Sequence, residues 1–154
     1  MNIASVFREQ IAEIADRLSR VSEEKSRSRH REGGWSKKQI LGHLIDSALN
    51  NHQRFVRASL EGKYEGPGYS QEAWVALHGY DAMPWSKLIE HWRHQNELLC
   101  EVVDRIPQER LSAPCQIENN APVTLKFLII DYLSHLQHHT DQIADPVPAR
   151  PNSS

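Results

Sequence analysis

The chain has 154 residues, enough for a single domain with one hydrophobic core. Its 18 basic and 20 acidic residues give a formal net charge of −2, which excludes the strong positive field of a typical nucleic-acid-binding protein. Two cysteines are too few for a disulfide framework, no run of about 18 uncharged apolar residues predicts a membrane span, and the first ten residues lack a signal-peptide pattern. We therefore expect a cytoplasmic protein that binds neither nucleic acid nor a membrane.

Apolar residues recur at steps of three and four in four long segments, which is the period of an amphipathic helix. The first segment covers 3–21. The second begins after Ser36, whose hydroxyl is expected to cap the helix together with Gln39 in a capping box. This second helix is predicted to run to about Leu60, just before a glycine.

A long connection separates the second helix from the third. Residues 61–84 are rich in glycine, proline and aromatic side chains, and only 71–78 predict a short helix there. Long connections of this kind often form a lid or the wall of a binding site. The third helix is predicted over 85–106, and the fourth over 125–143 with Thr124 as its N-cap.

These segments predict an all-α fold, a four-helix up-and-down bundle with a long connection between helices 2 and 3. No segment shows the sustained alternation of apolar and polar residues that is typical of a half-exposed strand. We expect one helical-bundle domain over residues 1–144. Residues 145–154 contain three prolines and are expected to form a flexible C-terminal tail.

His135 and His139 are the residues on which the functional interpretation depends. They are one helical turn apart, about 40° around the axis, so both side chains can bind one divalent metal ion from the same helix face. His138 falls on a more polar side of the helix and is expected not to bind. The residue after His135 is Leu136, whereas the protease motif H-E-x-x-H has a glutamate there, so no zinc-protease general base is predicted.

A third ligand must come from another part of the chain, because catalytic metal sites usually use three protein ligands and leave one position open. His43 is the leading candidate, since it lies one turn into the second helix and bundle sites are built from facing helices. Asp46 and Asn50 share its side of that helix. Any single histidine is more often a solvated or hydrogen-bonded structural residue, so a bundle without metal stays open as an alternative.

Several stretches of the chain resemble one known family. They are 34–47, 50–55, 68–74, 79–80 and 132–143, and they include Gly-Trp-Ser-Lys-Lys-Gln-Ile-Leu-Gly-His-Leu-Ile-Asp-Ser and Tyr-Leu-Ser-His-Leu-Gln-His-His-Thr-Asp-Gln-Ile. The family is the DinB-like proteins, a four-helix superfamily that also includes bacillithiol transferases and mycothiol-dependent enzymes. The combination of these stretches is more specific than any one motif.

The resemblance implies a bundle that is often a homodimer and that holds a metal ion in a groove on three histidines. On this chain those three match His43, His135 and His139. One divalent transition metal ion is implied, nickel or zinc first, with manganese or iron as alternatives, because neutral imidazole binds several of these ions. Four further side chains are candidates to orient the imidazoles through hydrogen bonds. They are Asp46, Asn50, Asp131 and Gln142.

The implied activity is that of a metal-dependent enzyme that acts on a small molecule. A metal ion can activate water, as in a hydrolase, or hold a thiolate, as in a thiol S-transferase, so a low-molecular-weight thiol is one candidate substrate. A non-catalytic metal-binding stress or interaction protein is the alternative. Tyr69, Trp74 and Tyr80 are candidates for a substrate-pocket wall or for packing anchors. Neither the substrate nor a catalytic residue follows from the sequence.

Overall fold

A computed structural model describes residues 2–29 and 31–145, so the predicted tail over 145–154 lies outside the described residues apart from Asp145. The α-helices of the described part are α1 (Ile3–Ser19), α2 (Glu23–Ser26), α3 (Lys37–Glu61), α4 (Gln71–His78), α5 (Trp85–Arg105) and α6 (Leu125–Ile143). Its strands are β1 (Tyr64–Gly66), β2 (Pro114–Ile117) and β3 (Val123–Thr124).

The four long helices α1, α3, α5 and α6 are those predicted from the apolar period, and the all-α four-helix bundle is confirmed. The local signals that begin α3 are also present. Ser36 Oγ accepts a hydrogen bond from the Gln39 N–H at 3.1 Å, and Gln39 Oε1 accepts one from the Ser36 N–H at 2.9 Å. This capping box satisfies two backbone donors that a helix start leaves free. No helix of the described residues combines the length and hydropathy needed to cross a bilayer.

The long helices form a ring in which α1 and α3 each pack against both α5 and α6. α1 and α5 run in opposite directions, because the Trp85 indole N–H at the start of α5 donates to the Leu18 carbonyl near the end of α1, at 3.1 Å. α3 and α6 also run in opposite directions. There the Lys37 ammonium group at the start of α3 donates to the Ile143 carbonyl at the end of α6.

α3 and α5, in contrast, run in the same direction. The Lys38 ammonium group at the start of α3 donates to the Met83 carbonyl, just before α5 begins. The long connection over 62–84 makes this possible, because it carries the chain from the end of α3 back to the level of its start. The long helices therefore run up, down, down and up instead of alternating strictly, an order that bundles with a long crossover connection can adopt.

Tyr132, in the middle of α6, shows where the core of the bundle lies. Its ring meets the rings of Phe7 and Phe55 edge-on, each with a centroid separation of 5.9 Å. Its hydroxyl donates to the buried side-chain oxygen of Asn96. These four residues belong to α1, α3, α5 and α6, so all four long helices contribute to one continuous core.

The small three-stranded sheet is the part of the fold that the sequence pattern does not predict. β1 pairs in parallel with β2, and β2 pairs antiparallel with β3. The strands contain two to four residues, too few for an alternating pattern to become visible. The sheet ties the long connection after α3 to the loop before α6. It therefore closes the end of the α3–α6 groove that is farther from the start of α3.

Candidate metal centre

The three predicted histidines meet between α3 and α6. His43 is buried on α3, and His135 and His139 are half-buried on α6. One ring nitrogen from each residue lies within 4.8 Å of the other two. The Nε2 atoms of His43 and His135 are 3.2 Å apart. The structure thus brings together side chains that are 92 residues apart in the sequence.

Helix geometry explains the cluster. His135 and His139 lie one turn apart, so their side chains project from the same face of α6 toward α3. His43 lies in the second turn of α3, and the opposite direction of the two helices places this turn beside the last turns of α6. His138 is exposed and lies outside the cluster, as its position around α6 predicts.

The spacing of the ring nitrogens fits a shared metal ion. Two imidazole nitrogens bound to one zinc-like ion at about 2.0–2.1 Å and at tetrahedral angles are about 3.3 Å apart. The 3.2 Å separation of the His43 and His135 nitrogens is close to this value. The donor set consists of three nitrogens, which suits zinc, nickel and iron better than the oxygen-preferring ions.

The electrostatics of the cluster favour the neutral, metal-binding form of each imidazole. The pKa of His43 is lowered to about 3. Burial is the main cause, and the neighbouring imidazoles of His135 and His139 contribute the rest of the shift. Burial also lowers the pKa of His135 to about 4, with a smaller contribution from His139. The pKa of His139 is lowered mainly by burial as well. At neutral pH all three rings therefore have a free lone pair for a metal ion.

Gln142 is the predicted orienting side chain that contacts an imidazole. Its Oε1 lies 2.8 Å from His139 Nδ1, so it can accept a hydrogen bond from that nitrogen and leave Nε2 free toward the cluster. The Nδ1 atom of His43, in contrast, is buried and has no hydrogen-bond partner among the described residues. The His139 ring is therefore held from outside the cluster, whereas the His43 ring is held by packing.

The other three predicted orienting side chains make no hydrogen bond to the three imidazoles among the described residues. Asn50 donates to the Asp46 carbonyl at 2.9 Å, and Asp131 is exposed on α6. The Asp46 carboxylate accepts a hydrogen bond from the Tyr80 hydroxyl at 2.6 Å, and the same oxygen lies 2.9 Å from His78 Nδ1. Burial raises the pKa of Asp46, against the lowering effect of these two partners. Asp46 thus belongs to a polar cluster on the side of α3 that faces α4.

The Asp46–Tyr80–His78 cluster was not predicted from the sequence. Its one local signal is Gly42, a glycine in the interior of a helix, where it costs stability relative to alanine. A Cβ atom at Gly42 would lie 2.0 Å from Cδ2 of Tyr80. The missing side chain therefore lets the Tyr80 ring lie against α3 and reach Asp46. Burial and the Asp46 carboxylate both raise the pKa of Tyr80 well above its usual range.

Two cavities flank the histidine cluster. The first, called here the Gln142 cavity, has a volume of about 410 Å³ and is bordered by Trp35, Glu72, His139 and Gln142 among others. The Trp35 ring also lies 5.2 Å from the His43 ring, centroid to centroid. No role for Trp35 beyond the start of α3 follows from its sequence position.

The second cavity, called here the Arg54 cavity, lies on the other side of the cluster between α3, α6 and the long connection. Its volume is about 200 Å³, and its border includes His135, Arg54, Ser47 and Tyr69. Of the predicted aromatic wall residues, Tyr69 borders this cavity and Trp74 packs on Tyr69 at 5.2 Å between centroids. A ligand can thus approach the histidines from two sides.

Comparison with known proteins identifies the family. Residues 7–143 match the family model described as the DinB superfamily. The chain belongs to the DinB superfamily. A related protein of Oceanobacillus iheyensis, named as a candidate metal-dependent hydrolase, is 24% identical over 130 residues, which cover 84% of this chain and 75% of the relative.

Solved structures of other proteins share the fold of this DinB-superfamily chain. YfiT from Bacillus subtilis, described as a candidate metal-dependent hydrolase with an unusual four-helix bundle topology, has a TM-score of 0.82 at 20% identity. That match covers 92% of this chain and 81% of YfiT. A mycothiol-dependent maleylpyruvate isomerase has a TM-score of 0.77 at 13% identity, over 94% of this chain and 61% of the isomerase. At these identities the likeness shows the fold alone.

Proposed function

We propose that this DinB-superfamily protein is a metal-dependent enzyme that acts on a small molecule, with His43, His135 and His139 binding one divalent transition metal ion. The observation that carries the proposal is the convergence of three neutral imidazoles beside two cavities. A structural metal site is normally closed by four protein ligands, whereas a three-ligand site leaves room for a further ligand. The cavities favour a catalytic site over a structural one.

Nickel and zinc are the proposed ions, with iron and manganese as weaker candidates. The cluster supplies imidazole nitrogens, and no carboxylate of the described residues belongs to it. Manganese prefers carboxylate and water oxygens, while nickel and zinc bind imidazole well.

The protein residues around the cluster have distinct roles in this proposal. Burial keeps the three imidazoles unprotonated at neutral pH, so they can bind a cation without first losing a proton. Gln142 holds the His139 ring through Nδ1, and Trp35 covers the ring of His43. The chemistry that a bound ion supplies at such a site is the activation of water or a thiol as a nucleophile near neutral pH.

Hydrolysis is the first proposed reaction, because relatives with matching sequence or fold are named as candidate metal-dependent hydrolases. Thiol S-transfer is the second, because the isomerase that shares the fold is named as mycothiol-dependent. Low-molecular-weight thiols are therefore a proposed substrate class. The expected homodimer and the cytoplasmic location stay predictions, as does a non-catalytic metal-binding role.

Metal analysis of untagged protein tests the proposal. We expect about one ion per chain after gentle purification, and recovery of one zinc or nickel ion per chain when chelator-treated protein is titrated in a calorimeter. Loaded protein is then screened with esters and amides, and with small thiols plus epoxides. No stoichiometric binding would overturn the metal proposal, and stoichiometric binding without turnover would favour the non-catalytic role.

A further inference from the structure

Arg54, on α3, is a buried cation without a countercharge among the described residues. The residue is only 8% exposed. None of the ion pairs found in the described part of the chain involves it. Within the described part of the chain its one hydrogen bond is a long contact of 3.4 Å from Nη2 to the Pro67 carbonyl. A guanidinium has five N–H donors, and burying such a charge without a partner is costly.

The Arg54 guanidinium borders the same cavity as a histidine of the proposed metal site. His135 and Arg54 both line the Arg54 cavity of about 200 Å³. None of the Arg54 nitrogens is among the sealed polar atoms that lack a partner, so its free N–H groups remain accessible. The cavity also presents the polar side chains of Ser47, Asn51 and Tyr69. It is therefore a polar cavity with a positive group at one place and the histidine cluster at another.

The geometry of α3 sets the distance between these two places. Arg54 follows His43 by eleven residues, so both project from nearly the same side of the helix and lie about 16 Å apart along its axis. Long helical side chains lean toward the N-terminus, which brings the guanidinium back toward His43. The remaining gap is on the order of 10 Å. This gap matches a small molecule with functional groups at both ends.

The charge around the cavity supports an anionic partner. Asp131 is the carboxylate that borders the Arg54 cavity, and it is exposed on α6 and forms no ion pair with Arg54. The exposed Asp131 carboxylate is solvated by water, so it does not supply the countercharge that the largely buried guanidinium lacks. The cavity is therefore bordered by a guanidinium that no carboxylate of the described residues neutralises. The planar fork of an arginine matches the two oxygens of a carboxylate.

We propose that Arg54 binds a carboxylate group of the substrate while the reacting end of the same molecule lies at the histidine cluster. The inference rests on the proposed metal-dependent function, and it names the substrate class: small carboxylic acids with the reacting group at the opposite end. Arg54 is then a specificity-determining residue of the site.

Binding of matched thiols to cobalt-loaded protein tests this inference. The probes are mercaptocarboxylic acids of increasing length and mercaptoalcohols of the same lengths. Thiolate binding is followed through the sulfur-to-cobalt absorption band. We expect an acid of suitable length to bind about tenfold tighter than its alcohol. Arg54→Gln should remove this preference and leave cobalt binding and the affinity for the alcohols unchanged.

Arg57→Gln is the matched control, since Arg57 lies on the same helix but is exposed and pairs with Glu61. It should leave the preference for the acid intact. Arg54→Lys keeps the positive charge but loses the fork, so it should retain only part of the preference, and it provides a reading if Arg54→Gln does not fold.

The outcomes separate the two proposals. If the unmodified protein does not bind cobalt at all, the proposed metal site is overturned, and this inference with it. Equal binding of acids and alcohols by the unmodified, cobalt-loaded protein would overturn the role of Arg54 while leaving the metal site standing. An equal loss of preference in Arg57→Gln would also overturn it, because the effect would then be one of general charge.

Discussion

Replacement of Gly42 by alanine should destabilise the protein, although helix propensity alone predicts the opposite. Alanine is favoured over glycine inside a helix by about 1 kcal/mol. At Gly42, however, the new Cβ would lie 2.0 Å from Cδ2 of Tyr80 and 2.4 Å from its Cγ and Cε2. Carbon atoms normally approach to about 3.5–4.0 Å, so the Tyr80 ring must move by about 1.5 Å.

The expected loss follows from two consequences of that movement. Overpacking of a buried site typically costs about 1–3 kcal/mol. The Tyr80 hydroxyl would also lose its 2.6 Å hydrogen bond to the buried Asp46 carboxylate, and bonds to charged groups contribute about 1.5–3 kcal/mol. After subtraction of the gain in helix propensity, we expect a net loss of about 1.5–5 kcal/mol in the free energy of unfolding.

Urea unfolding followed by tryptophan fluorescence measures this loss as a lower transition midpoint at unchanged slope. Tyr80→Phe is the control, because it removes the hydroxyl and keeps the ring. In the double variant Gly42→Ala/Tyr80→Leu the smaller side chain leaves room for the Cβ, so the two effects should not add. Gly42→Ala protein as stable as the unmodified protein, or more stable, would refute this reasoning.

Further predictions concern the histidine cluster. His139→Ala should lower the affinity for zinc at least about a hundredfold in calorimetry, whereas His138→Ala should change it little, and equal losses would contradict the assignment by helix face. Gln142→Leu should weaken zinc binding about tenfold, as loss of an orienting hydrogen bond typically does, while thermal stability without metal stays nearly constant. The pKa values of His43 (about 3) and His135 (about 4) lie below the unfolded value of 6.5. The unfolded chain therefore binds protons first as the pH falls. We therefore expect the free energy of unfolding of the metal-free protein to have its full value above about pH 6.5 and to be lower by about 2 kcal/mol per histidine at pH 5. Urea titrations at a series of pH values measure this change, and a free energy of unfolding that does not depend on pH would contradict the prediction.

Local patterns account for the parts of the fold that the sequence predicts well. The bounds of α4 and α6, at Gln71–His78 and Leu125–Ile143, agree with the prediction. The signals that define these helices, the capping residue and the spacing of the apolar residues, lie within or next to the helix in the sequence. The juxtaposition of His135 and His139 depends only on helix geometry and is local in the same sense. Predicting that His43 approaches these two residues also required the general rule that the helices of a bundle face each other.

Features made by tertiary contact are the ones that sequence reasoning missed. The strands are too short to show a pattern, and the partners of Asp46 come from a segment 32 to 34 residues later in the chain. Arg54 is an ordinary polar residue in the sequence, and its lack of a countercharge becomes visible only when the neighbours of α3 are known. The directions of the helices likewise depend on where the long connection 62–84 leads.

The distance of 92 residues between His43 and His135 links any bound ion to folding itself. The cluster cannot exist in the unfolded chain, and contacts between distant segments form only after the loop between them has closed. An ion that binds the folded cluster alone therefore stabilises the whole domain by mass action, by about 2.7 kcal/mol when its free concentration is a hundred times its dissociation constant. The midpoint of thermal unfolding should thus rise with the concentration of the ion, and the supply of metal would shift the fraction of chains that are folded.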